Sequence, residues 1–148
     1  MVEENAKSKI FYRYLGNSGL KVSCIGYGNY LNSITEDKYI ATRDCIKAMF
    51  DAGVNFFDSA EVMASAACAE MMGRAFKELE LRREDLVVTA KIFSSGMKPN
   101  DCFHSRKHII EGVQAHLKRM QLDYVDVVFC HKQDNDTPIE ETCRAMHQ

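Results

Sequence analysis

Apolar residues fall along this chain in short continuous runs, separated by longer stretches in which they recur every three or four positions. LVVTAKI (Leu86 to Ile92) and YVDVVFCH (Tyr124 to His131) are apolar on both alternating faces. Strands of a parallel sheet, covered on both sides, read that way. Ser23 to Tyr27 and Asn55 to Asp58 are shorter runs of the same kind. Between them lie three stripes: Tyr39, Thr42, Ile46 and Met49; Cys68, Met72, Ala75, Phe76 and Leu79; and Ile109, Val113, Leu117 and Met120. Such spacing puts each set on one side of a helix. Thr35 and Gly53 supply a start and a stop for the first helix, and Ser105 a start for the third. Thr137-Pro138-Ile139-Glu140 reads as a capping box with Pro at the first helical position, opening a fourth helix that runs to Gln148. Ahead of these, FYRYLGNSGLKVS holds two β-prone runs around Asn17-Ser18-Gly19, a hairpin whose turn takes its positive φ at Gly19.

Strands alternating with helices through short links predict a parallel sheet. A doubly wound sheet and a (β/α) barrel both fit. The first would carry a dinucleotide fingerprint after its first strand. Gly26-Tyr27-Gly28-Asn29-Tyr30-Leu31 has the leading GxG but Leu where a third glycine belongs. The strand ends favour the barrel. The second, third and fourth strands finish on Asp58, Lys91 and His131. Alternation puts Asp58 with Phe56, Lys91 with Thr89, and His131 with Val125, Val127 and Phe129. If those faces line a barrel, the three polar groups meet at its top, where the catalytic groups of such barrels lie. The plainer alternative is a structural Asp–Lys ion pair beside an unrelated histidine.

The totals change little. A chain of 148 residues, 46% hydrophobic, is enough for one core, and a net charge of −2 with scattered cations gives no nucleic-acid footprint. The polar start MVEENAKSK is no signal peptide, and no apolar run reaches the ~20 residues that span a bilayer. The expectation is one soluble, cytoplasmic domain. Six cysteines form no CxxC pair, which suits reduced thiols on apolar faces rather than a disulfide framework. His104 and His108 have the spacing of a metal pair, but with Ser105 as N-cap only one stands on the helix. They are read as surface histidines, and no metal site is expected.

Longer segments carry a family resemblance. LGNSGLKVSCIGYG, FDSAEV, TAKIF, SRKHIIEG, LDYVDVVF, CHKQD and TPIEETCRAM resemble the aldo-keto reductases, most closely the branch containing the β subunits of voltage-gated potassium channels. The likeness covers nearly the whole chain. It implies an N-terminal hairpin followed by about four βα units of a TIM-type (β/α)8 barrel, so that residues 1–148 are the N-terminal half of one reductase domain. It implies an NADP(H)-dependent oxidoreductase acting on an aldehyde or ketone, with the cofactor against Asn29, Tyr30, Asp58 and Lys91. Of the family's Asp, Tyr, Lys and His tetrad, Asp58, Lys91 and His131 match three members, and Met63 stands at the tyrosine position. Met63 and the absent later strands, which bring most phosphate contacts in that family, imply weak NADP(H) binding and little turnover. The alternatives are a regulatory subunit of a potassium channel without turnover, or an inactive fragment. A homo-oligomer is open on the same resemblance.

Overall fold

The computed structural model describes residues 10–29, 35–61 and 63–148, with the side chains of 63–65 left out. The chain opens with an antiparallel hairpin, β1 (Tyr12–Tyr14) and β2 (Lys21–Ser23). Its turn takes positive φ at Gly16 (φ 55°), not at the expected Gly19. The reason is that Leu15 bonds Leu20 across the loop, which places the sharp reversal just after β1. There follow β3 (Gly26–Gly28), α1 (Glu36–Asp51), β4 (Phe56–Asp58), α2 (Met63–Glu78), β5 (Val87–Ile92), α3 (Arg106–Met120), β6 (Val127–Cys130) and α4 (Ile139–Met146).

The strands β3-β4-β5-β6 form one parallel sheet in chain order. The expected alternation is therefore observed: four parallel strands and four helices, as in part of a barrel, with the sheet not closed among the described residues. Two strand boundaries differ from the sequence reading. Ser23 closes the hairpin instead of opening the first parallel strand, because its N–H and Oγ are engaged by Asn55. The last strand begins at Val127 rather than Tyr124, since the Asp126 carboxylate accepts from the Val88 N–H and Arg83 at 2.7 Å each and turns the chain there.

Helix ends follow local chemistry. Thr35 caps α1 by accepting from Lys38 N, and Gly53 (φ 97°) ends it, a conformation that costs a side-chain-bearing residue about 1–2 kcal/mol. Ser105 caps α3 by accepting from His108 N. For α4 the expected capping box gives way to a shifted start. Pro138 occupies the cap position, and Thr137 turns its N–H to the Asp134 carboxylate instead. That helix closes at Met146, with His147 as its C-cap.

Alternating strand residues divide two environments. Phe57, Val88, Ala90 and Ile92 point toward the helices and are buried. Phe57, Val88, Ile46, Met72, Phe76 and Met120 make one cluster, and Ile92, Ile109 and Ala145 a second. The α3 stripe is rotated from the expected one. Its deepest positions are His108, Ile109, Gly112, His116 and Met120, while Val113 and Leu117 are half-buried. The hairpin is fastened beneath the sheet: Asn55, just before β4, accepts from Ser23 N at 2.7 Å and donates to Lys21 O at 3.1 Å. The opposite end, where the strands finish, is left to the polar groups.

Candidate active site at the strand ends

Register fixes how the three predicted groups are arranged. Gly28, Asp58, Thr89 and Val127 lie level across the sheet, and Lys91 lies level with Phe129 one step further on. His131 follows β6 directly, its N–H donating to Ile92 O at 3.0 Å. The titratable residues thus climb by about two positions from strand to strand. They share the face that carries Phe56, Val127 and Phe129, opposite the helix-packed Phe57, Val88 and Val128.

Asp58 and Lys91 form a salt bridge, with side chains 31% and 26% exposed. The second carboxylate oxygen accepts from the Thr89 hydroxyl at 2.6 Å. The pair is too buried to be a loose surface contact, yet Lys91 keeps part of its side chain open to solvent on the face opposite the helices. Its ammonium lies 5.9 Å from the centre of the Phe129 ring, an additional attraction for the cation. The His131 Nδ1 is buried without a hydrogen-bond partner among the described residues. Burial first, and then the positive charges of Lys91 and Lys132, push its pKa below 6.5, with Asp58 opposing them. The imidazole at this position is therefore neutral near pH 7.

The remaining expected positions divide. Asn29, at the end of β3, is buried, and its Nδ2 donates to Cys68 O at 3.2 Å while Oδ1 has no protein partner. Tyr30 lies outside the described residues. Met63 begins α2, and its side chain is likewise outside them. The strand ends thus hold a restrained ammonium, a neutral imidazole, and two buried polar atoms without protein partners, Asn29 Oδ1 and His131 Nδ1, a donor and acceptor set compatible with a carbonyl and the amide of a nicotinamide.

Sequence reasoning missed a second layer of polar residues, and placed two of them on the surface. His104 and His108 are each only 3% exposed. The His104 ring bonds Ile92 O at 3.0 Å, and its backbone N–H donates to Asp134 at 2.8 Å. Asp134 sits at about 2: burial pushes it up, but the Thr137 hydroxyl and the N–H groups of His104, Asp136 and Thr137 more than offset that. His108 bonds Glu61, a carboxylate with no exposed surface. The available signal was spacing. His108, Gly112, His116 and Met120 recur every four residues, a stripe as regular as the one drawn from Ile109. The cysteines also differ from expectation: Cys68 is buried and Cys102 half-buried, but Cys24, Cys45, Cys130 and Cys143 are exposed free thiols.

Comparison with known proteins follows the same lines. The profile described as "Aldo/keto reductase family" matches residues 24–148. Over 136 residues the chain is 48% identical to the "Probable voltage-gated potassium channel subunit beta" of Oryza sativa subsp. japonica. It is equally similar to the protein of the same name from Arabidopsis thaliana. Each match covers 92% of this chain and 42% of the relative, so the chain spans less than half the length of the curated relatives it matches.

Proposed function

This chain belongs to the aldo/keto reductase family, and on that premise we propose that it carries the Asp58, Lys91 and His131 portion of an NADP(H)-dependent carbonyl-reducing site, slowed by Met63 where the family places a tyrosine. The observation that carries this reading is the Asp58–Lys91 salt bridge, braced by Thr89, at the C-terminal ends of parallel strands and on the face left free by the helices.

Bound there, the cofactor would supply hydride to the carbonyl carbon. Negative charge then grows on the carbonyl oxygen. A fixed ammonium close to that oxygen stabilises it without having to reorganise, which is the largest kind of contribution a site of this type makes. Asp58 holds the Lys91 ammonium in place through their salt bridge. His131, neutral at pH 7, offers a hydrogen bond to the same oxygen and orients it. Met63 has no proton to give. General acid catalysis is worth ~10²–10⁴-fold, so proton delivery falls to Lys91, His131 or water, and turnover is slow. Asn29, Tyr30, Asp58 and Lys91 would surround the nicotinamide end of NADP(H). Weak NADP(H) binding by the 148-residue chain on its own belongs to the same reading, since it spans 42% of each of the two relatives.

NADPH-dependent aldehyde reduction is expected to be slow in this chain, to rise by ~10²–10⁴-fold in Met63→Tyr, and to vanish in both backgrounds with Lys91→Ala. Turnover that survives Lys91→Ala sinks the assignment. Fluorescence titration with NADPH checks the second half of the proposal, and micromolar or tighter binding would overturn it.

The names of the rice and Arabidopsis relatives favour a second reading, a cytoplasmic regulatory subunit of a potassium channel. In that role the site would report cofactor redox state rather than process substrate, and little turnover is what it requires. Capture of a channel's cytoplasmic domain by the purified chain supports it; no retention at high micromolar concentration counts against it.

A further inference from the structure

Helix α4 has two apolar sides, and the chain itself covers only one of them. The covered side is held by three contacts: Ala145 packs with Ile92 and Ile109, Thr142 donates to His104 O at 3.3 Å, and Glu141 accepts from Arg106 N at 2.8 Å. Displaced from these around the helix are Ile139, Cys143 and Met146, whose spacing of four and three makes one stripe. Ile139 is 66% and Met146 40% exposed, and Cys143 is an exposed thiol. Apolar side chains scattered singly over a surface need no explanation, but a contiguous row of them marks a place of contact.

The stripe continues onto β6. Burial, and then the neighbouring Cys143, push the Cys130 thiol up, so the stripe borders the last residue of that strand. Met146 also borders an apolar groove lined by Ile110, Val113 and Val128. On the other face of the sheet Phe129 is exposed. Among the described residues β6 pairs with β5 alone, and its outer edge offers backbone groups to a further strand. Helix and strand thus present one edge in two layers. Both are needed: an eight-residue helix is only ~12 Å long, and a specific interface buries ~1,200 Å² or more.

The charges along this edge select its occupant. Glu140 and Arg144 flank the stripe, both exposed, and neither makes a salt bridge within the chain among the described residues. Two copies of α4 can pack antiparallel about a two-fold axis through the middle of the stripe. Ile139 of each copy then meets Met146 of the other, and Glu140 of each meets Arg144 of the other. An axis normal to the sheet also brings the two β6 edges together, antiparallel. A patch that is complementary to itself in this way is what a two-fold contact requires.

We propose that the α4 stripe and the free edge of β6 form the contact surface of a two-fold dimer of this chain, with the two α4 helices antiparallel and the two sheets joined through β6. The dimer is independent of the carbonyl-reducing activity proposed above.

Sedimentation equilibrium of the full chain is expected to show monomer and dimer and no larger species. Ile139→Asp should raise the dimer dissociation constant by ~10-fold or more, with unchanged far-UV circular dichroism. Glu140→Arg and Arg144→Glu should each weaken self-association, because each sets like charges opposite one another twice. Mixing these two variants should restore association as a heterodimer, a recovery that an effect within one helix would not produce. A chain that stays monomeric at high micromolar concentration overturns the proposal, as does an open-ended series of larger species. A dimer that Ile139→Asp leaves intact, or a mixture that does not recover, places the contact elsewhere and overturns it too. The two charge changes lie at exposed positions and keep the test decisive if Ile139→Asp fails to fold.

Discussion

His116 shows what a single residue can cost when its environment and its chemistry disagree. It lies on the buried face of α3 with no exposed surface, and neither ring nitrogen has a hydrogen-bond partner. Burial first, and then the charge of Arg119, lower its pKa from 6.5 to about 4, with Asp58 opposing. The folded chain therefore keeps His116 neutral where the unfolded chain would already protonate it. Its contribution to stability is complete above about pH 6.5 and is lost as pH falls toward 4, by up to about 3 kcal/mol. Urea unfolding at pH 8 and pH 5 should show the parent chain losing about 2 kcal/mol more than His116→Leu. Equal losses in the two proteins would mean that His116 does not titrate in this window. His131 is shifted in the same direction, but it sits at the strand ends rather than in the packing between helix and sheet.

Among the elements, α2 lies close against the end of α3, where Gly73 faces Met120. A Cβ built on Gly73 would fall onto the backbone of Met120, 2.6 Å from its Cα. Backbone cannot move aside as a flexible side chain can. Gly73→Ala would gain ~1 kcal/mol of helix propensity, but it forces overpacking that typically costs ~1–3 kcal/mol and pushes α3 away. The expected net result is a lower urea midpoint with unchanged helix content, and a rise in midpoint would show that the two helices are not in this contact. The same helix brings His108 Nε2 within 3.0 Å of Glu61 Oε2. The helix rotation that the structure reveals, with His108, Gly112 and His116 innermost, is what makes that bridge geometrically available.

For the whole molecule, the dominant feature is a sheet that is paired on one side only at β3 and at β6 among the described residues. At β6 the sheet face opposite the helices is only partly covered, with Phe129 40% exposed. Unpaired strand edges recruit further strands, and a charge at the edge suppresses this. Concentration-dependent association measured by sedimentation should therefore weaken in Val127→Lys, which places a cation on the inward face of β6. Association that is indifferent to this change would locate the contact elsewhere. No helix among the described residues is long and apolar enough to cross a membrane. The N-terminal hairpin is bonded to Asn55 and, through Tyr12, to Gly53 O at 2.5 Å, at the end of the sheet opposite the strand ends.

Much of this was legible in the sequence because local pattern dictates it. Continuous apolar runs and three-and-four spacing determined the order of strands and helices, and Thr35, Ser105 and Gly53 determined where two helices begin and one stops. Alternation along Thr89–Lys91 and Phe56–Asp58 was enough to place these side chains on a common face, because the period of a strand is two. Other features depend on residues far apart in the chain. Nothing local to Glu61 names His108, 47 positions away, as its partner. Nothing local to α3 says which of two equally regular stripes turns inward. That choice is made when α2 and the sheet close on the helix, and it buries the stripe that can satisfy a carboxylate. Asp134 likewise displaced the expected capping box, because it could accept the Thr137 N–H while also holding His104. Periodicity determines which residues share a face, whereas packing between distant elements decides which face is inside and which polar groups meet there.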